Sequence, residues 1–179
     1  MAEFPLPTYS FLDVYGTMIG PGIVANFGNA TGQADEGITI EQTEDKNRMT
    51  PGASGEVMHT LIGVDAGRVA IHVLKTSPLN AKLNEAFNLQ KNSSLTWGNN
   101  TITITNPISN DHITCTQVAF TRRPPNAYGK EPVPIVWEFE AGHIFVALGG
   151  NFGVVGQVLG KLGGVIGGAI GRAVGGIFG

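Results

Sequence analysis

The sequence predicts a mainly β protein, an antiparallel β-barrel or sandwich with one flanking α-helix and a Gly-rich C-terminal extension. Three observations predict it. Apolar and polar residues alternate with a period of two in several segments before residue 149. Only one segment in the same region has the three- and four-residue spacing of a helix. Gly, Pro and Asn cluster between the alternating segments, where turns are needed.

The alternation predicts six or seven strands. The first is expected at 8–20, closed by a turn at Pro21-Gly22, and the Gly- and Asn-rich stretch 26–37 predicts an irregular loop. Further strands are predicted at 68–75, in a hairpin at 100–121 that turns at Ser109-Asn110-Asp111, and at 135–148.

The segment 37–63 combines clear alternation with a long polar stretch. Ile38 and Ile40 are expected on one face of a strand, and Glu41 and Asp45 with the neighbouring threonines on the other. Turn residues around Pro51-Gly52 then predict that EVMHTLIG returns beside the first strand. The sequence therefore predicts a long hairpin with an acidic, Thr-rich outer face.

One helix is predicted after Ser77 and Pro78. Serine can cap a helix, and proline suits the first helical position because its φ is preset. The apolar stripe that should lie against the sheet consists of Leu79, Leu83, Ala86 and Phe87.

Composition limits the possible functions. The chain has 179 residues, enough for one domain with a terminal extension, and only 14% of them are charged. Few charges predict that other subunits cover part of the surface, although a Gly-rich sandwich would also explain them. The net charge of −3 argues against a basic surface for nucleic acid, and the N-terminus lacks a secretory signal, so a cytoplasmic start is expected.

No residues form a recognisable catalytic or metal-binding motif. The four histidines are dispersed, and the single cysteine, Cys115, is expected in the core. Glu138 and Glu140 share a strand face and could form an acid/base pair, but a solvated or subunit-facing strand explains them better because no companion His or Tyr is evident. No enzyme activity, cofactor or metal is predicted.

Four segments together resemble the tail tube proteins of contractile-tailed bacteriophages, over roughly residues 8–148: TYSFLDVYGTMIGPG, GITIEQTEDKNRMTPGASGEVMHT, VLKTSPLNAKLNEAFN and NTITITNPISNDHITCTQVAFTR. The resemblance implies a barrel-like sandwich in hexameric rings that stack into a tube through which DNA passes without specific binding. It also implies sheath, tape-measure, baseplate and tail terminator partners, and a place in the virion after assembly in the host cytoplasm. The tube of a type VI secretion system or of a phage-derived bacteriocin remains an alternative.

Two sets of site residues follow from the hairpin and the resemblance. The acidic residues expected to line the lumen are Glu41, Asp45, Glu138 and Glu140, because a wall of carboxylates repels phosphate. The loop expected to reach the adjacent ring consists of Asp45, Lys46, Asn47, Arg48, Met49, Thr50, Pro51 and Gly52.

The C-terminal extension, 149–179, departs from the family pattern. Its glycines form a small-residue stripe that includes Gly156, Gly160, Gly164, Gly168, Gly171 and Gly175. Close helix packing, membrane insertion by a membrane-active protein and a flexible tail are the three interpretations. Ten residues separate Lys161 from Arg172, too few to cross about 30 Å of hydrocarbon at about 1.5 Å per residue. Packing in an assembly is therefore predicted, with 1–148 as the tube domain.

Overall fold

A computed structural model of the chain describes residues 9–28, 33–131 and 133–149. A short 3-10 turn, Phe11–Asp13, precedes the first strand. The strands are β1 (Tyr15–Gly20), β2 (Ile23–Gly28), β3 (Gln33–Gln42), β4 (Asn47–Pro51), β5 (Val57–Leu61), β6 (Gly67–Val73), β7 (Asn100–Asn106), β8 (Asp111–Phe120) and β9 (Ile135–Ala147), and the helix is α1 (Leu79–Gln90).

Seven of the strands form one antiparallel sheet in the order β2-β1-β7-β8-β9-β6-β3, and β4 pairs only with β5. The mainly β, antiparallel architecture with one helix is thus confirmed. The edge strands β2 and β3 come close to each other without a ladder between them in the described part of the chain. The sheet therefore curls around its own core in a sandwich-like form.

Two irregular positions produce the curl. In β8, Cys115 and Val118 are both buried although they are three residues apart, and Gln117 between them has a φ of 54°. In β9, Ala141 and Ile144 show the same spacing. Each break in the two-residue alternation moves the buried side of the strand to its other face. The two halves of the sheet can then face each other across the core.

The predicted helix is confirmed, and its apolar stripe lies against the core. Leu79, Leu83 and Ala86 are buried, and Phe87 makes an edge contact with Phe120 at 5.6 Å between ring centroids. At its N-terminus the Ser77 hydroxyl accepts a hydrogen bond from the Leu79 amide at 3.3 Å. The helix begins where serine capping and a preset proline φ predict it.

A buried pair of amides joins the end of the helix to the sheet. Gln90 and Asn100 exchange two hydrogen bonds of 2.8 Å. Asn100 also donates to the Val118 carbonyl, and Gln90 to the Pro21 carbonyl. Both side chains are fully buried, and sequence analysis missed them because they are polar. The pair thereby connects α1, β7, β8 and the β1–β2 turn.

We expect Asn100→Ala to lower the free energy of unfolding by about 1–3 kcal/mol, because the buried Gln90 side-chain oxygen and the Val118 carbonyl both lose the donor that Asn100 supplies. Chemical denaturation measures the change. The matched control is Asn99→Ala, at an exposed position, which should change it by less than about 0.5 kcal/mol. Equal effects of the two substitutions would contradict a specific role for the buried pair.

The N-terminal part of the chain differs from the prediction. The expected strand at 8–20 begins only at Tyr15, because Ser10 accepts a hydrogen bond from the Leu12 amide and caps the 3-10 turn. The predicted loop at 26–37 is wrong at both ends, since β2 extends to Gly28 and β3 begins at Gln33. The Gly, Asn and Ala residues that suggested a loop carry little strand propensity but pair in register.

The predicted hairpin is also arranged differently. Strand β3 pairs with β6, whereas the EVMHTLIG segment contains β5, which pairs with β4. The chain therefore leaves the sheet after β3, forms a separate two-stranded hairpin, and returns as β6. Alternation predicts that a segment is a strand but not which strand it pairs with, because pairing partners are set by packing.

Candidate functional site: a charged sheet face and a protruding arm

One outer face of the sheet is rich in charged side chains and is here called the charged face. Its residues are Thr39, Glu41, Arg68, Ala70, His72, Val136, Glu138 and Glu140. Glu41 lies directly opposite Arg68, which lies opposite Glu140 on the next strand. On the reverse side, the intervening Val69, Ile71 and Phe139 are fully buried. Strict alternation on β6 and the first part of β9 places these side chains.

Both arginines near this face lie beside carboxylates. Arg68 stands between Glu41 and Glu140, and its Nε atom is buried without a hydrogen-bond partner in the described residues. The guanidinium of Arg122 is 3.4 Å from a Glu138 carboxylate oxygen. The face therefore combines three carboxylates with two flanked cations, and the sequence pattern did not indicate this balance.

The structure brings together three of the four acidic residues predicted as a lumenal set. Glu41, Glu138 and Glu140 share the charged face. Asp45 does not belong to it, because β3 ends at Gln42 and Asp45 lies in the bend that follows. The alternation that suggested Asp45 continues past the point where the strand leaves the sheet.

Residues 47–61, which form β4, β5 and their turn, protrude from the sheet and are here called the arm. Every residue of the arm is exposed. Residues opposite one another in the register share a face. One arm face carries Asn47, Met49, Pro51, Val57, His59 and Leu61, and the other carries Arg48, Thr50, Met58 and Thr60. The arm is thus amphipathic, although neither face is covered by the described residues.

The predicted inter-ring loop proves to be one side of this arm. Asp45 and Lys46 lie in the bend before it, Asn47–Pro51 is β4, and Gly52 lies in the turn, where its amide donates to the Glu56 carbonyl at 2.7 Å. A two-stranded hairpin alone is marginally stable in water. Contacts with another chain would stabilise it.

The described residues lack the features of a metal site, a reactive thiol and a membrane-spanning helix. Within 9–28, 33–131 and 133–149, no group of three or more His, Cys, Asp or Glu side chains is placed to hold a metal ion. Cys115 is fully buried, as predicted, and burial raises the pKa of its thiol to about 11. No helix in this part of the chain is long and apolar enough to span a membrane. The tail glycines from Gly156 to Gly175 lie outside the described residues.

In the part of the chain that the structure describes, the sheet ends in two strands that are each paired on one side only, and it carries a charged face and an exposed arm. Such features favour contacts with another chain. The fold is similar to that of the sheath/tube terminator of an extracellular contractile injection system, PVC, in the extended state, with a TM-score of 0.51 and 13% identity over 82% of this chain and 99% of that chain.

Two further solved structures are similar at lower scores. One is the tube terminating cap of the anti-feeding prophage, with a TM-score of 0.45 and 14% identity over 83% of this chain and 94% of that chain. The other is the PVC sheath-tube complex in the extended state, with a TM-score of 0.46 and 12% identity over 82% and 94%. No curated protein matches the chain by sequence.

The family model of the Bacteriophage PhiTE tail tube protein matches residues 6–149. The chain belongs to this tail tube family. The resemblance inferred from the four sequence segments is confirmed.

Proposed function

We propose that the chain is the non-enzymatic subunit of a contractile tail tube, in which hexameric rings stack into a channel that conducts DNA inside a sheath. The family match over residues 6–149 carries this proposal. Sheath, tape-measure, baseplate and tail terminator proteins are the proposed partners. The proposed location is the virion, after assembly in the host cytoplasm.

The free edges of the sheet support assembly into rings. Strands β2 and β3 end the seven-stranded order, and in the described residues each of them forms a ladder on one side only. Exposed edges favour pairing with another chain. Neighbouring subunits of a ring would supply such partners and remove the edges from solvent.

The charged face supports a channel that does not retain DNA. Glu41, Glu138 and Glu140 repel phosphate, whereas Arg68 and Arg122 are each flanked by a carboxylate. A flanked guanidinium offers passing phosphates a weaker attraction than a free one. We propose that this face lines the channel and that Asp45 stands at its margin.

The exposed arm supports contact between rings. Four apolar side chains on one of its faces, Met49, Pro51, Val57 and Leu61, do not belong to the core formed by the described residues. Burial against a subunit of the next ring would remove this apolar area from water and stabilise the hairpin. We propose the arm as the inter-ring contact.

Electron microscopy of the purified protein tests the assembly directly. We expect rings or tubes at micromolar concentration and physiological salt. A species that stays monomeric, even with baseplate and tape-measure proteins present, would refute the proposal.

A charge-reversal variant tests the channel face. The double variant Glu41→Lys/Glu140→Lys places two added cations beside Arg68, so it should still form tubes but slow DNA ejection several-fold at low salt. The control, Glu85→Lys/Glu131→Lys, makes the same change in charge at exposed positions away from this face. Ejection kinetics in phage that carry each variant measure the effect, and equal rates would count against a lumenal position.

A further inference from the structure

The bend between the sheet and the arm is held by backbone hydrogen bonds on both sides. The Thr43 amide donates to the Ala66 carbonyl at 3.1 Å, and the Ile62 amide donates to the Lys46 carbonyl at 2.9 Å. The two segments of the bend therefore run together from the sheet into the arm. These bonds close the base of the arm.

A second set of contacts joins the bend to β9. The Lys46 ammonium group donates to the Val64 carbonyl and pairs with the Asp65 carboxylate. The Asp65 carbonyl accepts a hydrogen bond from the Ile144 amide at 2.9 Å. Ile144 lies next to the irregular position in β9, where the strand changes its buried face. Asp65 thus contacts the arm base through its side chain and the sheet through its backbone.

The arm itself has no packing against the core of the described residues. Its own residues are all exposed, so no core packing fixes its orientation. Lys46, by contrast, is half-buried, although it belongs to the loop that the sequence predicted to meet another ring. Its side chain contacts Val64 and Asp65 of its own subunit and remains 34% exposed.

We propose that Lys46 and Asp65 are positioning residues that fix the direction of the arm before it meets another subunit. Together with the Val64 carbonyl and the Ile144 amide they form what we call the arm clamp. Its role in assembly rests on the proposed contact between rings, whereas its effect on the arm is a property of the single chain.

Charge strengthens the arm clamp near neutral pH. The hydrogen bond and the charge of Lys46 lower the pKa of Asp65, and His143 on β9 lowers it further. A carboxyl group with a lowered pKa in the folded state contributes stability above its ordinary pKa, and this contribution is lost as the pH falls through the folded value. The ion pair between Lys46 and Asp65 should therefore persist at neutral pH and be lost only below about 3.8, the ordinary pKa of the carboxyl group.

Distance measurement between two spin labels tests the proposal on the full-length, unassembled chain. One label is placed on Ser54→Cys in the arm turn and the other on Lys82→Cys on the exposed side of α1, and buried Cys115 is spared from labelling. The distance distribution should be narrow at pH 7. Lys46→Met and Asp65→Asn should each widen it about twofold, since the direction of the arm is then unconstrained.

The double variant Lys46→Met/Asp65→Asn should widen the distribution no more than either single variant, because both remove the same interaction. Arg122→Met, which breaks the other ion pair in the described residues, is the matched control and should leave it unchanged. Unchanged widths in both single variants, or additive widening in the double variant, would overturn the proposal. If the distribution widened but tubes still assembled normally, the arm clamp would be shown to fix the direction of the arm, and only its role in the contact between rings would be rejected.

Discussion

Leu61→Asp is expected to abolish tube assembly while leaving the monomer folded. Leu61 is 84% exposed in the isolated chain, so its replacement removes no core contact. In the proposed contact between rings it is covered, where a leucine contributes about 1.5–3 kcal/mol and an unpaired carboxylate is costly. The loss recurs at every subunit of a ring. Sedimentation velocity should show a monomer, and circular dichroism should match that of the unsubstituted protein.

Thr60→Asp is the matched control, because Thr60 is adjacent in sequence but belongs to the opposite, more polar face of the arm. It adds the same charge and should reduce assembly far less. If both substitutions blocked assembly equally, the apolar face would not be the contact. If neither did, the arm would not join rings.

Phe120→Ala should lower the free energy of unfolding by about 3–5 kcal/mol. The Phe120 ring is buried between Phe139, Phe87 and Trp137, at centroid distances of 4.9, 5.6 and 5.9 Å. Its removal leaves a cavity where the helix meets the sheet. Since domains are stable by about 5–15 kcal/mol, this loss is a large fraction of the total stability.

Urea denaturation of the unassembled protein measures this change, with Phe145→Ala as control. Phe145 is 57% exposed, so its truncation should change stability by less than about 1 kcal/mol. A small effect of Phe120→Ala would mean that the neighbouring aromatic side chains of Phe87, Trp137 and Phe139 move to fill the cavity. Assembly of the variant would then remain normal.

The sequence predicted those elements in which apolar and polar side chains follow the period of the strand or the helix. Strands β6 and β7 alternate without interruption, and α1 shows both its cap and its apolar stripe. Pattern and structure agree there because each element packs one regular face on the core. The same logic placed Glu138 and Glu140 on an outer face.

The remaining features depend on contacts between distant parts of the chain. Arg68 lies between Glu41 and Glu140 only because β6 separates β3 from β9 in the sheet. The end of β2 at Gly28, the start of β3 at Gln33 and the pairing of β4 with β5 leave no periodic signal of their own. Gln90 and Asn100 look like surface residues in the sequence, since only the fold shows that each satisfies the other.

The same amide pair has a consequence for the outside of the molecule. An apolar stripe alone would tolerate a helix that slides or rotates slightly, because dispersion contacts have little directionality. The four hydrogen bonds of Gln90 and Asn100 have fixed directions and break when the helix shifts. The exposed side of α1, with Lys82 and Glu85, is therefore a rigid surface. Any protein that surrounds the subunit meets these charges in one arrangement, so substitutions there should alter recognition without altering the fold.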